Sequence, residues 1–328
     1  MRVVFCGTPL FAVPTLKHLL RQPDFEIAAV ITQPDRPRDR GHKVSVSSVK
    51  QAAQDARIPV HQPEKIRAPE AQELLQKLAP DVIVIIAYGQ IIPARLLPIP
   101  RLGWINLHAS LLPKYRGGAP FNWAIVNGET KTGVTSMRID AGMDTGEILL
   151  QKEMEIGPRE TAPELATRMS ELGAPLMAET LLGMAAGTIV PRPQSHEHAS
   201  SAPRLKKEDG RIDWSRPAAE IFNRIRGFAP WPGAYTSFRG QTCHIGGEPV
   251  SNDLGEQGAI QSNDTIAGTL LVQGGDRGLN RGKEVKVRCG GTTYLRLLSV
   301  KLEGRKQVSA AEFVNGAHLH SGEHFDET

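Results

Sequence analysis

Residues 80–87 read Pro-Asp-Val-Ile-Val-Ile-Ile-Ala, an unbroken β-branched and apolar run after a Pro-Asp start. A strand with one wet face alternates polar and apolar side chains. A run without a polar break belongs where both faces are covered, in a parallel sheet flanked by helices. The surrounding sequence supplies the partners. Residues 2–7, 26–32 and 103–108 are further β-rich runs, while 14–20, 47–57, 69–78 and 120–127 have helical character. Strands alternating with helices predict an α/β fold, a doubly wound Rossmann-like domain. Functional groups in such a sheet gather at the carboxyl ends of its strands. Those ends carry Gly7, the Ala87-Tyr88-Gly89 turn, and Asn106 to His108. The Gly7-Thr8-Pro9 turn does not have the GxGxxG spacing of a dinucleotide fingerprint.

Residues 161–187 predict one long packing helix, with Thr161 and Glu164 spaced as a capping box. The texture then changes. Residues 188–206 have three prolines and no apolar periodicity and read as a linker. Beyond it, short strand-like runs at 234–238, 242–245, 269–272, 284–287 and 294–298 alternate with Gly-rich turns, with one helix at 218–227. That pattern predicts a small OB-like β-barrel. The expected division is 1–187, a linker at 188–206, and 207–328.

The net charge is +4, but it is uneven: residues 204–306 carry 17 Lys/Arg against 11 Asp/Glu, and residues 307–328 carry none against four. A basic block attracts polyanions such as nucleic acid; ordinary surface variation would give the same numbers. Cys6, Cys243 and Cys289 are far apart and odd in number, so neither a disulfide framework nor a CxxC metal pair is available. That suits a reducing compartment and predicts a cytoplasmic protein. No signal-peptide pattern opens the chain, and no run approaches the roughly 18–20 apolar residues of a membrane span. His196 and His198, and His318, His320 and His324, lack the companions of a metal site and read as exposed; no metal is expected.

The chemistry concentrates in residues 104–147. Asn106 and His108 lie two apart on a predicted strand, hence on one side of it. Asp144 sits in the Gly-rich stretch Asp140-Ala-Gly-Met-Asp-Thr-Gly146. An amide and an imidazole can donate to an oxygen that gains negative charge in a tetrahedral intermediate, and a carboxylate can steer the imidazole. No nucleophilic serine is needed when an amine attacks directly, and Ser110 lies outside any GxSxG elbow. The same residues can equally be turn formers and core hydrogen-bonders. Ser110, Leu111, Leu112 and Pro113 offer an apolar wall for a flat ring, bordered by Ala87, Tyr88 and Gly89, or are simply a strand-to-helix loop. Residues 33–43 form an exposed loop in which Arg36, Arg38, Arg40 and Lys43 can hold phosphates while Asp35 and Asp39 dilute the field.

Several motifs carry a resemblance to a known family. Phe5-Cys-Gly-Thr-Pro-Leu-Phe-Ala12, Thr32-Gln-Pro-Asp-Arg-Pro37, Val84-Ile-Ile-Ala-Tyr-Gly89, Asn106-Leu-His-Ala-Ser-Leu-Leu-Pro113 with Asp144-Thr-Gly146, Ile212-Asp-Trp-Ser215 and Arg226-Gly-Phe-Ala-Pro-Trp-Pro232 together resemble the methionyl-tRNA formyltransferases. These are a branch of the 10-formyltetrahydrofolate transferase superfamily, and the resemblance spans nearly the whole chain. It implies 10-formyltetrahydrofolate as co-substrate and initiator Met-tRNA as acceptor; a monomer is expected. It places Asn106, His108 and Asp144 at catalytic positions, Ser110–Pro113 in the folate-binding segment, and Arg40 against the acceptor arm. Asp39 and His42 stand where the family more often has small or basic residues, and residues 44–49 lack its usual proline before Val-Lys. Two other functions fit the residues: a formyltransferase for a small amine, which needs no basic second domain, and a non-catalytic folate- or RNA-binding protein, which would form no formyl product.

Overall fold

The structure is a computed structural model that describes residues 1–38, 43–250, 266–273 and 284–326. The chain divides into two units. The first comprises residues 1–121, 130–157 and 164–204; the second takes 122–129, 158–163 and the chain from 205 onward.

The first unit contains β1 (Arg2–Gly7), α1 (Val13–Leu20), β2 (Glu26–Ile31), β3 (Arg36–Arg38), β4 (Lys43–Ser45), α2 (Ser48–Asp55), β5 (Val60–His61), α3 (Pro69–Leu78), β6 (Val82–Ile86) and β7 (Trp104–His108). After α4 (Pro120–Val126), most of which belongs to the second unit, come β8 (Lys131–Arg138), β9 (Ile148–Glu155) and the long α5 (Ala162–Ala186). Seven strands form a sheet in the order β5-β2-β1-β6-β7-β8-β9. The five from β5 to β7 are parallel, as the apolar runs predict, and every residue of β6 is buried. The chain steps from β1 outward to β2 and β5, then returns to the other side for β6 and β7. The β1/β6 boundary is therefore the switch point at which a doubly wound sheet opens a crevice.

The sequence reading did not anticipate β8 and β9, which extend the sheet antiparallel from β7. The reason is visible in β8, Lys-Thr-Gly-Val-Thr-Ser-Met-Arg, whose six inner residues are all buried although three of them are polar. Each of two hydroxyls has a partner. Thr135 Oγ1 donates to the Ser110 carbonyl at 2.6 Å, and Ser136 Oγ meets Thr180 Oγ1 of α5 at 2.7 Å. Satisfied hydroxyls can be buried without the apolar signature that pattern reading relies on.

Helix α5 packs so close to β7 that a Cβ at Gly173 would lie 2.4 Å from Leu107 Cδ2. Leu107 therefore faces the helix. By the alternation of a strand, Asn106 and His108 face the other side of the sheet.

The second unit contains α6 (Ala218–Gly227), β10 (Tyr235–Phe238), β11 (Gln241–Pro249), β12 (Leu270–Gln273), β13 (Glu284–Arg288), β14 (Tyr294–Leu302), β15 (Val308–Ser309) and α7 (Ala310–Ala317). Its sheet is antiparallel, ordered β10-β11-β14-β13-β12, with β15 on β14. All five predicted strands and the predicted helix belong to it. Its core centres on aromatic pairs: Trp214 stacks on Phe325 with ring centres 5.3 Å apart, and Phe238 meets Phe313 edge-on at 5.2 Å. Ile212 and Trp214 of the Ile-Asp-Trp motif are parts of this core, whereas Phe228 of the Arg-Gly-Phe motif meets Trp123 edge-on with ring centres 5.5 Å apart. Ile212, Trp214 and Phe228 are buried, and the buried Arg226 donates to Asn223 Oδ1 and to the Glu160 carbonyl. Helix α7 starts with a reciprocal capping box between Ser309 and Glu312.

Candidate active site

Strand register determines how the third polar residue reaches the other two. Thr135 of β8 stands opposite His108 and Arg138 opposite Ile105. The β8–β9 connection therefore leaves the sheet beside Ile105, where the Ile139 amide bonds the Trp104 carbonyl. It is an ordered turn. Asp140 Oδ1 accepts from the Gly142 amide at 3.0 Å and from Thr145 Oγ1 at 2.7 Å. From this turn Asp144 is brought up to His108, its Oδ2 lying 3.7 Å from His108 Nδ1. That distance is too long for a direct hydrogen bond and within ion-pair range. Asn106, half-buried, occupies the same face of β7 two residues away, roughly 7 Å along the strand.

The ring of His108 is buried and oriented by a group the sequence reading missed. Its Nε2 lies 2.8 Å from the carbonyl oxygen of Tyr115. A carbonyl only accepts, so Nε2 carries a proton and Nδ1 is the nitrogen left facing Asp144. Tyr115 is buried with φ 62°, and its amide donates to Ser200 Oγ at 2.9 Å. Nothing in Lys114-Tyr115-Arg116 advertises a carbonyl aimed at a histidine. The signal, a non-glycine residue at positive φ, exists only in the fold.

Asp144 is itself held at two points in a strained backbone conformation. Its own φ is 54°, its Oδ2 accepts from the Gly117 amide at 2.9 Å, and its carbonyl accepts from Gln194 Nε2 at 2.9 Å. Gly117 cannot be replaced without strain. Its φ is +125°, and a Cβ there would lie 2.5 Å from the Ala202 carbonyl oxygen. Residues 116–119 pair with 200–202 through the Arg116 and Ala202 main chains, so the stretch read as a linker lies along this loop in ordered contact.

The predicted ring-binding residues separate into two groups. Leu111 and Pro113 are half-buried, whereas Ser110 and Leu112 are buried. Ser110 Oγ donates to the Lys114 carbonyl at 2.6 Å, and Leu112 packs with Met137 and Ile148. Ser110 and Leu112 thus shape the loop, which turns at a cis Leu112-Pro113 bond and is tied to Thr135 and Gln151. At the β6 end, Ala87 and Gly89 are exposed with positive φ. Tyr88 is different: its side chain is 1 % exposed in the core with Ile85 and Trp104, and its carbonyl already accepts from Thr8 Oγ1 and Gln33 Nε2. Burial pushes its phenol up above the ordinary tyrosine value.

Of the basic loop, β3 and β4 pair as a hairpin that sets Arg36 opposite Ser45 and Arg38 opposite Lys43. Arg36 is exposed; Arg40, with Asp39 and His42, lies outside the described residues. The base of the hairpin is tied down by Lys50, which pairs with Asp35 and donates to Gln62 Oε1, while Gln62 Nε2 donates to Asp35 Oδ1. The hydrogen bonds from Lys50 and then Gln62 hold the Asp35 carboxyl below the usual carboxylate range. Among the described residues no group of three or more His, Cys, Asp or Glu is placed to hold a metal ion, and no helix is long and apolar enough to cross a membrane. His196, His198, His318 and His320 are exposed, while His324 is half-buried with its Nδ1 3.0 Å from Thr269 Oγ1.

His108 and Asp144 thus face each other on the side of β7 that also carries Asn106. Residues 1–181 match the formyl transferase family, and residues 204–318 match the formyl transferase C-terminal domain. The chain is 51% identical over 328 residues to a methionyl-tRNA formyltransferase of Solibacter usitatus, covering 100% of this chain and 99% of that one. It is 47% identical over 324 residues to one from Koribacter versatilis, with 98% of each covered. In structure it is similar to an N-formyltransferase of Helicobacter canadensis solved with folinic acid and dTDP-3-aminofucose. The TM-score is 0.60, with 20% identity, covering 90% of this chain and 98% of that one. The chain belongs to the methionyl-tRNA formyltransferase family.

Proposed function

We propose that this protein moves the formyl group of 10-formyltetrahydrofolate onto the free amino group of initiator methionyl-tRNA, and that Asn106, His108 and Asp144 form its reaction centre. One observation carries the assignment of the site. The only ring nitrogen of His108 free to meet substrate is Nδ1, and it faces a carboxylate on the side of β7 that also carries Asn106. The amine attacks the formyl carbon, the new C–N bond forms, and the carbonyl oxygen becomes an oxyanion. The Asn106 amide donates to that oxygen. His108 donates from Nδ1 once it is protonated there, a state in which Asp144 is its charge partner. The bond from carbon to the folate nitrogen then breaks, that nitrogen gains a proton, and the amine nitrogen loses one. The Tyr115 carbonyl fixes the ring, so the role of Asp144 is to match charge at Nδ1.

Leu111 and Pro113, with the exposed backbone of Ala87 and Gly89, are suited to border the folate ring, and Ser110, Leu112 and Tyr88 to support them from below. Arg36, Arg38, Arg40 and Lys43 would grip the RNA. The second unit, whose charges balance overall, would add to that grip locally through Arg305 and Lys306, which are exposed beside a cavity of about 430 Å3 lined by Phe238, Leu302 and Phe313. The protein would work as a monomer in the cytoplasm, where its RNA substrate is used. The direct test is to incubate it with 10-formyltetrahydrofolate and charged initiator tRNA and assay formylmethionine. Product on the aminoacylated tRNA supports the proposal. Product only on free small amines, or binding without product, would replace it with one of the two other functions the sequence allows.

A further inference from the structure

The carboxamide of Gln194 makes four hydrogen bonds beside the site, and it lies in a stretch with no sequence pattern of its own. It is 8 % exposed. Its Oε1 accepts from Arg116 Nε at 3.0 Å and Nη2 at 2.7 Å; its Nε2 donates to the carbonyls of Asp144 at 2.9 Å and Gly146 at 2.7 Å. All four bonds are within the first unit. They connect the segment that follows Tyr115 to the turn that delivers Asp144. The turn needs such a hold, because Asp144 sits at a strained φ of 54°. A non-glycine residue at that φ persists only where its surroundings hold it there.

We infer that Gln194, clamped by Arg116, is a positioning residue that sets the Asp144 carboxylate against His108 Nδ1. It touches neither the imidazole nor any atom that would react. The chemistry requires glutamine at this position. One end must accept twice from a guanidinium while the other donates twice to carbonyls, and only a primary amide has both ends. Glutamate would keep the Arg116 pairing and turn its second oxygen on two carbonyls. Gln194→Glu therefore separates the clamp from the positioning, and it is nearly isosteric.

The inference rests on the reading of Asp144 as part of the reaction centre, and the test separates the two. Gln194→Glu and Gln194→Ala should each lower kcat by roughly tenfold or more, with KM for both substrates within about twofold, and should move the pH profile of kcat. In an Asp144→Ala background the same changes should cost less than about twofold further, because a residue that acts through Asp144 has nothing left to position. Independently of turnover, the 15N resonances of the His108 ring should shift in Gln194→Glu. A Gln194→Glu enzyme with wild-type kcat and unmoved His108 resonances would overturn the inference. So would a full additional loss in the Asp144→Ala background, which would mark Gln194 as merely structural. If the wild type forms no formyl product, the functional proposal fails, and the His108 resonances still decide the case of Gln194.

Discussion

Replacing Asp144 with asparagine isolates the charge that faces His108. The substitution keeps the size of the side chain and an acceptor for the Gly117 amide, and the Gln194 bond goes to the backbone carbonyl, which is unchanged. Only the negative charge 3.7 Å from Nδ1 is lost. Two unit charges at that distance interact by about 4 kcal/mol at an effective dielectric near 20. The Asp144 side chain is 20% exposed, and solvent screening reduces the effect to about 2 kcal/mol. If that interaction is made with an imidazolium present only in the transition state, its loss slows turnover by roughly 30-fold. The assay is single-turnover formylation with both substrates saturating. The expected result is kcat down roughly 10- to 100-fold with KM little changed. An Asp144→Asn enzyme within about threefold of wild type would show that no charge at this position assists the reaction.

Three other perturbations have defined outcomes. Gly117→Ala forces a Cβ into the Ala202 carbonyl at φ +125°; a strain of about 1–3 kcal/mol should lower the first thermal transition by roughly 2–10 °C, and an unchanged Tm would contradict the geometry. Asp35 has its folded-state pKa depressed by Lys50 and Gln62, so its contribution to stability is present above the ordinary carboxylate value near ~4 and is lost as pH falls through the lower folded value. The Tm gap between wild type and Asp35→Asn should accordingly be open at neutral pH and close in acid, and a gap that widens in acid would be the wrong sign. Reversing charge with Arg305→Glu and Lys306→Glu should weaken tRNA binding severalfold and flatten its salt dependence, as a filter-binding titration against salt would show, while leaving folate binding intact.

Much of the fold is legible in the sequence because burial and chemistry coincide there. The run at β6 requires a parallel sheet, and Leu165, Met169 and Leu181 of α5 are buried as their helical spacing asks. Where buried residues are polar, the pattern fails. Strand β8 hides Thr135 and Ser136 with hydroxyl partners supplied by the Ser110 loop and by α5, and those partners are invisible to a local reading. Helix α7 went unread for a different reason: it is only eight residues long, although its Ser309 and Glu312 spelled a capping box. The candidate site divides the same way. Asn106 and His108 are recognisable from their i, i+2 spacing on a strand. The groups that hold His108 and Asp144, namely the Tyr115 carbonyl for the first and the Gly117 amide and Gln194 for the second, act through backbone geometry and long-range contacts that no spacing encodes.

The most direct measurement is single-turnover transfer from 10-formyltetrahydrofolate to charged initiator tRNA by the wild type and by Asn106→Ala, His108→Ala and Asp144→Ala, each checked for folding and for folate and tRNA binding. A shared reaction centre requires each variant to bind both substrates and to lose roughly a hundredfold or more in rate. Near-wild-type rates in the three variants, with binding intact, would place the chemistry elsewhere in the molecule.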